Sequence, residues 1–481
     1  MRLMLTLILL GAFLLAGPNS ATLAKPPQAT ELSPMDAYVQ EPDAAYKWEV
    51  VKTIDGNRSQ TVVIKLTSQA WRGESDVDHP VWEHWMIVVK PTELKTDKAL
   101  LVVAGGGNDR PAPEGASAVV SRIAEATGSI VAELKMIPNQ PLVFHGDGKP
   151  RKEDDLIGYG WNQFLETGDA TWLPRLPMVK SVARAMDCLQ EWSEAEGSKI
   201  EKFVVSGASK RGWTTWMIGA VDERVEAIIP IVIDVLNVES CMKHHAAVYG
   251  FWATAVGNYY QHKILQRPTH PRMGELYRIE DPYFYLDRLT MPKYIVNSTG
   301  DQFFCPDSSQ FYFNSLQGEK HLRYVPNTDH GVDQSIDAVT SIVAFYQMII
   351  AGKPRPQMTW RFEDDGAIRV ESDVTPRRVV LWQANNPTTR DFRLESIGKA
   401  FSATELKPEA DGTWVGRAAT PEKGWTASFV EVAYDSGGAF PLEVSTGVRV
   451  LPETLPFADL DLAGVRYEPE VKRASGNAGG K

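Results

Sequence analysis

The most constraining stretch of the chain is Lys202-Phe203-Val204-Val205-Ser206-Gly207-Ala208-Ser209-Lys210-Arg211-Gly212-Trp213. Its apolar residues follow one another without alternation, which reads as a strand buried on both faces. A helical pattern follows over 212–221. A serine between such a strand and a helix, beside small residues, can occupy a strained turn that lifts its hydroxyl above the sheet end, at the N-terminus of the helix. The spacing here is G-x-S-x-x-G, with Arg211 where the usual G-x-S-x-G has its second glycine. A plain Gly-Ser turn with Ser209 as a helix N-cap would use the same residues, so the decision rests on partners elsewhere in the chain.

The same strand–helix grammar recurs. Strands are expected over 61–66, 82–89, 99–104, 129–134, 228–233 and 293–297, and helices over 117–127 and 176–195. In the longer helix Val179, Val182, Met186, Leu189 and Trp192 recur at helical spacing. The segment 138–172 reads as irregular. Strands alternating with helices imply a doubly wound, mostly parallel sheet covered on both faces. Past Pro354 and Pro356 the pattern changes to short strands (357–362, 378–382, 427–432), which predicts a small β-sandwich over 354–460. The tail 461–481 is expected to be flexible.

Two later segments carry groups that complement Ser209. Ile295-Val296-Asn297-Ser298-Thr299-Gly300-Asp301 runs from a strand into Gly-Asp, and Tyr324-Val325-Pro326-Asn327-Thr328-Asp329-His330-Gly331 ends in a His-Gly loop. The order Ser, acid, His is that of the α/β-hydrolase triad. Residues 308–316 are expected to form an intervening helix. Asp301, not Asp234 or Asp329, is the expected acid, because Gly300 permits a tight turn and enough chain follows to reach His330. The loop Gly105-Gly106-Gly107 follows a buried strand and is suited to present the N–H of Gly106 to an oxyanion, with the N–H of Lys210 as its partner. Arg211 and Trp252 are candidate substrate contacts, Trp252 within an aromatic-rich insertion over 240–290 expected to act as a lid.

Composition narrows the class further. A net charge of −11 disfavours nucleic acid as a partner, and the mixed-sign run Arg151-Lys152-Glu153-Asp154-Asp155 reads as a solvated loop. Residues 1–24 combine Arg2, an apolar run and small residues, the pattern of a cleaved export signal, and the run is too short for a membrane span. Periplasmic or secreted localisation without stable membrane insertion follows as an expectation. The three cysteines, Cys188, Cys241 and Cys305, allow one disulfide with one free thiol, or three small buried residues. No His spacing matches a metal motif, and neither metal nor cofactor is expected.

Segments 206–216, 132–141 and 297–304 resemble the PhoPQ-activated pathogenicity-related protein family, over roughly residues 35–450. The resemblance implies an α/β-hydrolase fold. The elbow is also similar to the G-x-S-x-x-G of glucuronoyl esterases, in which an arginine directly follows the serine; here Lys210 holds that place. A uronate ester is the substrate that this second likeness suggests. The combined expectation is an α/β-hydrolase domain over 25–353 acting on a small-molecule, carbohydrate-ester or peptide substrate through Ser209, Asp301 and His330. An esterase comes first and a peptidase second. The alternative from another class is a secreted signalling or binding protein on a hydrolase scaffold.

Overall fold

A computed structural model describes residues 32–332, 335–419 and 421–470. The expected signal over 1–24 and the end of the tail lie outside these residues. The central sheet has nine strands: β1 (Lys47–Asp55), β2 (Ser59–Ala70), β3 (Val81–Pro91), β4 (Lys98–Val103), β5 (Ile130–Leu134), β6 (Lys202–Ala208), β7 (Val225–Ile231), β8 (Lys293–Ser298) and β9 (Lys320–Val325). Their order is β1-β2-β3-β5-β4-β6-β7-β8-β9. The pairs β1–β2, β2–β3 and β3–β5 are antiparallel and the rest parallel.

The parallel strands send consecutive residues into two separate cores, as a pleat of period two requires. Leu101, Val205, Ile228 and Ile295 enter one core, while Leu100, Val204, Ile229 and Val296 enter the other. The first core is closed by α1 (Pro34–Gln40), α4 (Arg175–Ala195) and α5 (Lys210–Val221); the second by α2 (Ala118–Thr127) and α9 (Ile336–Ile350). The doubly wound reading therefore holds.

Three sequence expectations need correction. The segment read as irregular contains α3 (Asp154–Thr167). The helix expected over 308–316 is two 3₁₀ turns, Ser308–Phe311 and Phe313–Ser315. The tail departs from the expected looseness over 461–470: Glu468 is buried and accepts from both terminal nitrogens of Arg393, and the Glu468 and Trp252 backbones are joined at 2.9 Å.

The insertion between β7 and β8 carries α6 (Val238–Tyr249), α7 (Gly257–Gln261) and α8 (Met273–Glu280). The C-terminal region forms a three-stranded sheet of β10 (Met358–Phe362), β11 (Ile368–Ser372) and β14 (Trp414–Gly416). A five-stranded sheet holds β12 (Arg378–Asn386), β13 (Ser402–Glu405), β15 (Trp425–Tyr434), β16 (Leu442–Ser445) and β17 (Arg449–Leu451), with α10 (Leu394–Ile397) in a connection. Ile368, Val370 and Trp414 of the smaller sheet share a core with Leu381, Val430 and Val432 of the larger. The larger sheet is also tied to β9, where the Tyr324 N–H donates to Ser445 Oγ at 2.9 Å and Arg323 meets Glu443 at 2.7 Å. No helix among the described residues is long and apolar enough to cross a membrane.

Candidate active site

Ser209 occupies the turn between β6 and α5 with φ 58° and ψ −123°. A left-handed φ on a non-glycine residue stores roughly 1–3 kcal/mol and persists only where neighbours enforce it. The displaced glycine of the motif now has a reason. A Cβ on Gly207 would lie 2.7 Å from the Arg211 carbonyl oxygen, and one on Gly212 would lie 2.9 Å from the carbonyl oxygens of both Gly207 and Ile231. The tight crossing thus falls at Gly212, one residue later than in G-x-S-x-G, and Arg211 is free to carry a side chain.

His330 Nε2 lies 2.8 Å from Ser209 Oγ, and His330 Nδ1 lies 2.8 Å from Asp301 Oδ2. A carboxylate only accepts, so Nδ1 carries the proton and Nε2 is left to accept from the serine hydroxyl. Asp301 is buried and its second oxygen accepts from the Phe303 N–H at 2.7 Å, which fixes its orientation. Gln302 Oε1 accepts from the His330 N–H at 3.0 Å, and the Phe303 ring sits 4.4 Å from the imidazole. Burial opposes the charged ring, but the charge and hydrogen bond of Asp301 outweigh it and raise the His330 pKa above its ordinary value. Gly300 is needed because backbone crowds it: a Cβ there would lie 2.8 Å from Leu394 N and 2.9 Å from Thr328 O.

Asp234, the competing acid, is elsewhere engaged. It is buried, its Oδ1 accepts from Tyr312 at 2.6 Å and its Oδ2 from Tyr324 at 2.5 Å. Burial pushes its pKa up to about 7 despite those two donors.

Lys210 is the first residue of α5, where a backbone N–H has no partner within the helix. Gly106 lies in the loop after β4 at φ 143°. The two positions are linked through residues that the sequence reading missed. Gln140 Nε2 donates to Gly106 O at 3.1 Å and to Glu153 Oε1 at 2.6 Å. Glu153 receives Arg211 through two parallel bonds of 2.8 and 2.6 Å, and Arg211 Nε donates to Ile137 O. Burial would raise the Glu153 pKa, yet Arg211, Lys210 and Gln140 hold it down at about 2. Arg211, a candidate substrate contact by sequence, here directs three of its donors to Glu153 and Ile137. The reading of the charge run 151–155 as a solvated loop is corrected. Besides Glu153, Asp154 accepts from Lys210 Nζ at 2.8 Å and from the Tyr259 hydroxyl at 3.1 Å, and Asp155 meets His262 at 2.6 Å. The mixed signs looked solvent-facing because the partners of Glu153, Asp154 and Asp155 lie far away in sequence.

Beside Ser209 opens a cavity of about 320 Å³ walled by Trp161, Trp213, Trp252, Phe303, Phe304 and residues of the insertion. Trp252, a candidate substrate contact by sequence, lies in this wall. Leu460, Asp461 and Leu462, from the segment after β17, complete the wall. The three cysteines are free and buried. His244, Cys305 and Asp307 bring possible metal ligands together among the described residues, where His244 Nε2 lies 2.8 Å from Asp307 Oδ1 and Arg390 donates to Asp307 Oδ2 at 2.7 Å.

The strand order, the strained serine after β6, and the acid and histidine after β8 and β9 define an α/β-hydrolase fold. The chain belongs to the PhoPQ-activated pathogenicity-related protein family, whose sequence model matches residues 35–393. It is 38% identical over 453 residues to autocrine proliferation repressor protein A of Dictyostelium discoideum, covering 88% of this chain and 92% of that protein. Among solved structures it is similar to acetyl xylan esterase 1 of Thermoanaerobacterium sp., with TM-score 0.47, 15% identity, and 66% of this chain and 91% of that one covered. It is also similar to a glucuronoyl esterase of Solibacter usitatus, with TM-score 0.34, 13% identity, and 57% and 73% covered.

Proposed function

We propose that the protein is an exported serine hydrolase that cleaves esters through an acyl-enzyme. The observation that carries this reading is the unbroken chain Ser209–His330–Asp301 at 2.8 Å per link, on a strained turn beside a cavity. Ser209 Oγ attacks the ester carbonyl while His330 Nε2 takes its proton and returns it to the departing alcohol. Water then attacks the acyl-enzyme with His330 again as base, releasing the acid. The N–H groups of Gly106 and Lys210 are assigned to the oxyanion, with the Gln140–Glu153–Arg211 clamp holding the two backbones in register. Export rests on the pattern of residues 1–24.

A small-molecule ester suits the aromatic cavity of about 320 Å³ better than a peptide segment. The name of the Dictyostelium relative favours a second reading, a secreted regulator that does not turn over substrate. A fluorophosphonate separates the two: covalent labelling of folded protein that maps to Ser209 and vanishes in Ser209→Ala supports the hydrolase, and absence of label supports the regulator.

A further inference from the structure

We propose that the cavity beside Ser209 receives a bulky apolar acyl group, and that Leu460 and Leu462, on the segment returning after the C-terminal sheets, set its size. This rests on the serine-hydrolase reading above. The long walls are carbon: Trp161, Trp213 and Trp252 with Phe303, Phe304 and Met242. The lysines at its border have partners, Lys210 at 2.8 Å from Asp154 and Lys243 at 2.5 Å from Glu239. Trp252 Nε1 and the Arg175 Nε and Nη1 are donors of the lining without a hydrogen-bond partner among the described residues, but most of the lining is apolar, and a two-carbon acyl group would leave most of the aromatic wall without partner atoms. At about 320 Å³ the cavity sits at the lower end of small-molecule sites, which span roughly 300–1,000 Å³, a size for one acyl group and not a polymer segment.

The returning segment is anchored on both sides of its two leucines. Before them, the Phe457 N–H donates to Ala247 O at 2.9 Å. After them, Trp252 and residues 466–468 exchange backbone bonds at 2.9 Å, and Glu468 accepts from the Thr254 N–H and hydroxyl at 2.9 Å. A segment held at both ends acts as a fixed wall, and this one lines the cavity at Leu460, Asp461 and Leu462. It lies beyond residue 393, where the match to the family's sequence model stops.

The test is the rate at which full-length protein is labelled by alkyl fluorophosphonates whose alkyl group stands where the acyl chain would lie. Ser209 Oγ bonds to phosphorus, the P–F bond breaks, fluoride leaves and the hydroxyl proton passes to His330. The second-order rate constant is expected to rise at least about tenfold from ethyl to octyl, since each buried methylene adds to transition-state binding. Leu462→Trp, which shortens the cavity, is expected to cut the octyl-to-ethyl ratio about fivefold or more, and Leu460→Ala to move the optimum to longer chains. Labelling of Ser209 at a rate independent of chain length overturns the acyl cavity and leaves the hydrolase standing. No labelling with any chain overturns the hydrolase reading itself.

Discussion

Asp301 accepts the Nδ1–H of His330 at 2.8 Å, whereas Asp234, at the end of the neighbouring strand, is engaged by the hydroxyls of Tyr312 and Tyr324. Asp301→Asn is expected to lower kcat by on the order of 10⁴, because it leaves the imidazole in the wrong tautomer. Asp234→Asn is expected to keep most activity and to cost about 1–3 kcal/mol of stability, as one buried tyrosine loses its acceptor. Kinetics and denaturant melts of both variants check the pair, and the reverse ranking transfers the acid's role to Asp234.

Acidification is expected to abolish activity as His330 gains a proton. Its pKa is raised, so the midpoint of kcat/KM should lie above the free value of about 6.5. Activity is full above that midpoint and lost below it. Since Asp301 raises the pKa, the residual activity of Asp301→Asn should show a lower midpoint. A rate that stays flat from about pH 5 to 8 in the unsubstituted protein, with chemistry limiting, contradicts His330 as the base.

Arg211→Ala is expected to act on stability and kcat, and little on KM for neutral esters. It strips Glu153 of two hydrogen bonds, at a cost of about 1–3 kcal/mol once solvent access to Glu153 is discounted. It also loosens the link from Gln140 to Gly106. A variant of unchanged melting temperature with KM raised tenfold or more would restore Arg211 as a substrate contact.

Arg393→Met should release the returning segment. Glu468 is buried against Arg393, and removing the cation of a buried ion pair costs about 3–5 kcal/mol. Faster proteolysis within 454–470 in Arg393→Met, slowed again in Arg393→Lys, is the expected result.

The elbow and its partners were legible in the sequence because each depends on local pattern. An apolar run marks a strand, and chain order fixes which sheet position bears Ser209, Asp301 and His330. The missed elements depend on contacts distant in sequence. Helix α3 was hidden by Gly158 and Gly160, poor helix formers. A Cβ on Gly160 would come within 2.5 Å of Trp172 O, so packing, not local propensity, requires glycine there. Glu153 and Asp154 looked solvated because Arg211 and Lys210 lie more than fifty residues away. The anchoring of residues 461–470 depends on Arg393 and Trp252, which no periodicity in that segment announces.

The returning segment also bears on the order in which the protein refolds. Leu460 and Leu462 share a wall with Trp161 and Trp213, residues more than two hundred positions earlier in the chain. Contacts of that separation carry a large loop-closure entropy before they are rewarded. The wall of the cavity is therefore expected to close late in refolding, after the parallel strands that carry Ser209 have paired.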